Sequence, residues 1–201
     1  NGTNVSADAL SDIDKKITFN VGYGANSFFR KLNATVFAEV SDALMIAEES
    51  ASYGKVTHPI FDGGLGFNLK WNMGLANDLY DYVMTDPLYR RYKHKALNFP
   101  LMYAYTENYV LPISHDEVVH GKLSLLDRNF GPYEQKFAGA RTYLTYMMTH
   151  PGKKLLFMGS EIGQFREWAY EEEIEWFLLE YPMHARFQTF VAELNHLYLK
   201  S

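Results

Sequence analysis

Cysteine is absent from the 201 residues, which excludes disulfides and thiolate metal sites. No apolar run is long enough to cross a bilayer. No basic cluster stands out and the net charge is −5, so neither a membrane span nor a nucleic-acid footprint is expected. Phosphate-cradling glycine loops are missing, since neither Gly-x-x-x-x-Gly-Lys-Ser/Thr nor Gly-x-Gly-x-x-Gly occurs. There is no Gly-x-Ser-x-Gly elbow either, and Met158-Gly159-Ser160-Glu161 does not fit one. The N-terminus lacks an initiator Met and any basic-then-apolar signal segment, so the expected start lies inside a longer gene. The lack of cysteine fits a reducing cytosol, the expected setting. Asn1, Asn4 and Asn33 head Asn-x-Ser/Thr triplets, a pattern common by chance and given little weight.

What the chain does have is apolar bulk. Hydrophobic residues make up 47% and charged residues 21%, a globular balance. Aromatics reach 16%, which suits either a well-filled core or platforms for sugar rings. Residues 1–24 are polar and weakly periodic, and read as a degenerate N-terminal segment ahead of a main domain over 25–201. From Ser27 onward Phe28, Phe29, Leu32, Val36, Phe37 and Val40 recur at helical spacing. The run Ala43-Leu-Met-Ile-Ala47 reads as a buried parallel strand ending in Glu48-Glu49. Phe67–Trp71 and Tyr109–Ile113 read as further strands, and Lys154–Met158 as another. Helices are expected over 72–84, 133–149 and about 183–199, the second stopped by Pro151-Gly152. Alternation of this kind predicts an α/β fold with a parallel sheet. The chain holds about four strand–helix units, whereas a whole (β/α)8 TIM barrel takes roughly 250 residues. The expectation is therefore a partial barrel, its C-terminal half. An open half-barrel exposes sheet edges and apolar surface, so self-association is expected as well.

In such folds active sites lie beyond the C-terminal ends of the strands. Three carboxylate-bearing segments sit there: Glu48-Glu49, His115-Asp116-Glu117 and Glu161. Paired carboxylates are what glycoside chemistry requires, one to protonate the leaving oxygen and one to attack or to activate water. Each segment also has a bland reading. Glu48-Glu49 suits the first turn of a helix, and His115-Asp116 suits a hydrogen-bonded loop. Glu161 suits a loop tie. Neither Cys nor a matching His spacing supports a metal.

Four longer stretches resemble the bacterial 1,4-alpha-glucan (glycogen) branching enzymes of the alpha-amylase superfamily. They are Ala43-Leu-Met-Ile-Ala-Glu-Glu-Ser50, Gly63-Gly-Leu-Gly-Phe-Asn-Leu-Lys-Trp-Asn-Met-Gly74, Leu111-Pro-Ile-Ser-His-Asp-Glu-Val-Val-His-Gly-Lys122 and His150-Pro-Gly-Lys-Lys-Leu-Leu-Phe-Met-Gly159. The resemblance runs from about Phe29 to the C-terminus. It implies the C-terminal part of a catalytic barrel and a retaining transglycosylase without cofactor or metal. Such an enzyme cuts an α-1,4-glucan, holds the cut chain covalently and passes it to a 6-hydroxyl. By the same resemblance Glu48 falls on the general acid/base and Asp116 on the carboxylate that stabilises the transition state. His115 then binds the sugar, with Trp71 and Glu49 near it. Alternatives are an inactive fragment with weak glucan binding and a related α-glucan hydrolase.

The match fails at the nucleophile. The counterpart stretch is Asn1-Gly-Thr-Asn-Val-Ser-Ala7, which puts Ser6 where a carboxylate is needed. A serine cannot take that role without a base beside it. Asp8, Asp12 and Asp14 are nearby in sequence, so the nucleophile stays unassigned. Ser160 and Ile162 are smaller departures, at positions where Gly and Phe are expected.

Overall fold

In the computed structural model of the chain, residues 24–50 and 53–200 are described. The N-terminal stretch with Ser6, Asp8, Asp12 and Asp14 lies outside them. The described residues divide into two compact units, 24–47 with 53–70 and 48–50 with 71–200.

The first unit begins with helix α1 over 24–39. Its Phe29 ring packs against Phe67 at 5.6 Å, and both border a small cluster of Ala47, Val56 and Leu65. Arg30 and Asn33 tie the helix to the Gly63–Leu65 turn. Arg30 donates to the carbonyls of Gly64 and Gly63 at 2.9 and 2.8 Å, and Asn33 donates to the Leu65 carbonyl at 2.8 Å. Asn33 is fully buried, which closes that Asn-x-Thr triplet to a glycan. Gly64 permits the turn's close approach, because a Cβ there would stand 2.0 Å from the His58 carbonyl oxygen. Strand β1 (Ile46–Ala47) then runs parallel to β2 (Leu69–Trp71), pairing Ile46 with Leu69 and Ala47 with Lys70. β1 is shorter than the apolar run implies, and less buried. Leu44 is 61% exposed and Ile46 43%, and the Met45 amide bonds the Asn68 side chain instead of a neighbouring strand.

The second unit holds most of the buried apolar surface. Asn72 caps helix α2 (Met73–Met84) by accepting from the Leu75 amide at 3.0 Å. Buried Leu75, Leu79 and Val83 follow at helical spacing. Helix α3 (Lys95–Tyr103) comes next, with Pro100 inside it. Proline removes a helical hydrogen bond, and this helix is not among those expected from apolar periodicity. Strand β3 (Tyr109–Ile113) is buried from Val110 on and pairs in parallel with β4 (Lys153–Leu156), from Val110 with Lys153 to Ile113 with Leu156. Between them lies helix α4 (Tyr133–Thr149), whose Phe137, Ala140, Leu144 and Met147 make one inward stripe. Helix α5 (Pro182–Lys200) closes the core with Phe187, Val191 and Leu194. Both strand pairs are parallel and helices alternate with them, so the α/β expectation holds. Among the described residues no helix is long and apolar enough to cross a membrane.

Candidate active site

β3 delivers the chain from the core into a tightly tied turn. Ser114 caps a short 3-10 turn, His115–Glu117, through a reciprocal capping box. The Ser114 amide donates to Glu117 Oε2 at 2.8 Å, the Ser114 hydroxyl donates to the same oxygen, and the Asp116 amide donates to Ser114 Oγ at 3.3 Å. Glu117 is buried, so it serves as the internal fastener and leaves its neighbours facing out. His115 Nε2 stands 3.1 Å from Asp116 Oδ1, with the two side chains 46% and 48% exposed. The structure thus offers one imidazole and one carboxylate side by side on an open surface.

Two further groups hold this turn from behind. Arg128, itself buried, donates to the Glu117 carbonyl and lies over the Tyr80 ring at 3.9 Å. Burial pushes the Tyr80 and Tyr143 hydroxyls above their ordinary range, and their rings stack at 5.3 Å. Lys122 reaches back to the Asp116 carbonyl at 2.8 Å. The loop it belongs to is conformationally unusual: His120, Gly121 and Leu123 have φ of 55°, 76° and 68°. A non-glycine residue in that region costs about 1–3 kcal/mol and persists only where its surroundings over-determine it.

The surroundings come from the loop after β4. Glu167 accepts from the Gly121 amide at 2.9 Å and from the Leu123 amide at 2.6 Å. Those two N–H groups hold its carboxyl below the usual range. The Trp168 amide donates to the Val118 carbonyl at 2.9 Å. Its indole meets the His115 ring edge-on at 5.5 Å and the Phe157 ring at 5.4 Å. His115, Phe157 and Trp168 therefore form an aromatic surface beside Asp116. Nothing in the sequence marks Phe157 or Trp168 for this place. Phe157 lies within an apolar strand run, and Trp168 sits in a charged stretch. A cavity of about 30 Å³ behind them, lined by Val118, Met158, Gln164 and Trp168 among others, is too small for a sugar ring.

The remaining sequence-designated residues stand elsewhere along the chain. Glu48 directly follows β1 and is exposed, and Glu49 beside it is partly buried. Trp71, the last residue of β2, is partly buried. Ser160–Ile162 forms a 3-10 turn between two left-handed glycines, Gly159 and Gly163. Gln164 beyond it accepts from the Glu175 amide at 3.1 Å, so this segment is loop framework. Among the described residues no group of three or more His, Asp or Glu side chains is placed to hold a metal ion.

No family model matches the chain. Individual proteins do. The chain is 55% identical over 174 residues to the 1,4-alpha-glucan branching enzyme GlgB of Halothermothrix orenii, covering 87% of this chain and 28% of that protein. With the enzyme of the same name from Geobacillus stearothermophilus it shares 52% over 188 residues, 94% of this chain and 29% of the relative. With that of Pseudomonas aeruginosa it shares 55% over 174 residues, 87% of this chain and 24% of the relative. The chain thus spans about a quarter of the length of the curated relatives it matches, 24–29%. Identity at this level across 87–94% of the chain, joined to parallel α/β architecture, means that the chain belongs to the 1,4-alpha-glucan branching enzyme family, as part of its (β/α)8 barrel.

Proposed function

We propose that this chain carries part of the machinery of a cytoplasmic 1,4-alpha-glucan branching enzyme. Glu48 acts as general acid and base, Asp116 stabilises the transition state, and His115, Trp71 and Glu49 contact the sugar. In the first step Glu48 protonates the leaving 4-oxygen while a carboxylate nucleophile takes the anomeric carbon. In the second step Glu48 removes the proton of an acceptor 6-hydroxyl, which attacks that carbon and releases the nucleophile. Two inversions retain the α configuration, and no cofactor or metal enters the chemistry. The observation that carries this reading is the 52–55% identity to branching enzymes over nearly the whole chain. The exposed His115–Asp116 pair beside aromatic side chains supports it.

A second reading is glucan binding without turnover. It has in its favour that an acid/base and a stabilising carboxylate can be named while the nucleophile cannot. Self-association belongs to either reading, since Tyr92, Met102 and Tyr105 are 70%, 82% and 87% exposed, and sedimentation would register it.

The test is incubation of the chain with amylose, followed by debranching to count new α-1,6 linkages, alongside maltoheptaose binding. Linkages that vanish in Glu48→Gln support the first reading, and binding without linkages supports the second. Failure of both linkage formation and binding would overturn the glucan assignment.

A further inference from the structure

The loop that follows Asp116 is held in place by a residue that no motif singles out. Gly121 and Leu123 both adopt positive φ, and both aim their amides at one carboxylate, that of Glu167. Two consecutive features of the same β4 loop act together, because the next residue, Trp168, bonds the Val118 carbonyl through its amide at 2.9 Å and edges the His115 ring at 5.5 Å. The held loop returns to the site through Lys122 on the Asp116 carbonyl at 2.8 Å. It also returns through Arg128, which donates to the carbonyls of Leu123 and Glu117. The bonds of Glu167 span 44 and 46 residues of sequence, so they join two loops and do not merely close a turn.

We propose that Glu167 is a positioning residue: it clamps the Val118–Leu123 loop in its left-handed conformation and thereby fixes the His115–Asp116 pair against Trp168 for glucan binding. A carboxylate suits this role better than any neutral side chain. It offers two acceptor oxygens in a fork and no donor, which matches two converging N–H groups. Glutamine offers one acceptor, so it can keep one of the two bonds. Alanine keeps neither. The clamp itself stands on geometry, and its consequence for sugar rests on the function proposed above.

The experiment compares the full 15N-labelled chain with its Glu167→Gln and Glu167→Ala variants. It reads amide hydrogen exchange, the ring signals of His115 and Trp168, and maltoheptaose titration. Slow exchange of the α4 core amides in all three proteins shows that each folds. In Glu167→Ala the Gly121 and Leu123 amides should exchange at least about tenfold faster, as loss of a hydrogen bond to a charged group implies. The His115 and Trp168 ring signals should move, and maltoheptaose affinity should fall about tenfold. In Glu167→Gln one of the two amides should stay protected, with an intermediate affinity. Wild-type exchange rates at both amides in Glu167→Ala would overturn the clamp. Faster exchange with unmoved ring signals and unchanged affinity would overturn the positioning role. If the unsubstituted chain binds no maltoheptaose, the glucan reading fails, and exchange and ring signals still decide the clamp.

Discussion

β1 and β3 each run parallel to a neighbour and each lead into a carboxylate designated for catalysis, yet they are built to different standards. β3 has five residues, is buried from Val110 on, and passes into a turn fastened by Ser114, Glu117, Lys122 and Arg128. β1 has two residues, one of them exposed, and Glu48 follows it in the open. General-acid work calls for a shielded carboxyl whose proton is held to near-neutral pH. A carboxylate that stabilises charge needs instead to stay ionised and fixed, and the Asp116 turn supplies the fixing. Under the proposed roles, the Asp116 end is therefore the more firmly built of the two and the Glu48 end the more open.

The cores behind the two strands differ in the same sense, which gives the sharpest way to test the contrast. Leu144→Ala opens a hole in the packed center of the second unit, where Leu144 is fully buried, and should cost about 3–5 kcal/mol in urea unfolding. Leu65→Ala, in the small cluster of the first unit, should cost about 2–3 kcal/mol. Equal losses would erase the distinction. Glu117→Ala removes the buried fastener of the Asp116 turn and should cost about 1–2 kcal/mol, measured the same way. Glu48→Gln, at an exposed position, should stay within about 0.5 kcal/mol of the parent.

The smallest effect concerns pH. Backbone hydrogen bonds depress the Glu167 carboxyl. Its contribution is therefore complete above the unfolded pKa of about 4.3 and is lost as pH falls through the lower folded value. Amide exchange at Gly121 and Leu123, corrected for its intrinsic pH dependence, should keep full protection from neutral pH down to that range and lose it only below. Loss of protection near neutral pH would contradict the clamp geometry.

Much of the fold was legible because apolar periodicity and punctuation agreed. The expected helix over 133–149 coincides with α4, and the expected strand Tyr109–Ile113 coincides with β3, since both are buried where the pattern says they should be. The β1 run was overcounted. Apolar residues predict burial only if something covers them, and Leu44 and Ile46 are left exposed. Helix α3 is not among the expected helices: Pro100 is its only buried residue, so it carries no buried apolar stripe to announce it. The carboxylates at strand ends could be named as candidates from sequence, because strand ends are where parallel folds place chemistry. Glu167 and Trp168 could not. Their partners lie more than forty residues away, and no local pattern records a contact across that distance.

One measurement bears most directly on whether the two differently built strand ends serve one substrate: titrating the labelled chain with maltoheptaose while following Glu48, Trp71, His115 and Asp116 together. All four should shift along a single binding curve. Shifts confined to His115 and Asp116, with Glu48 and Trp71 unmoved at saturation, would contradict their assignment to one glucan site.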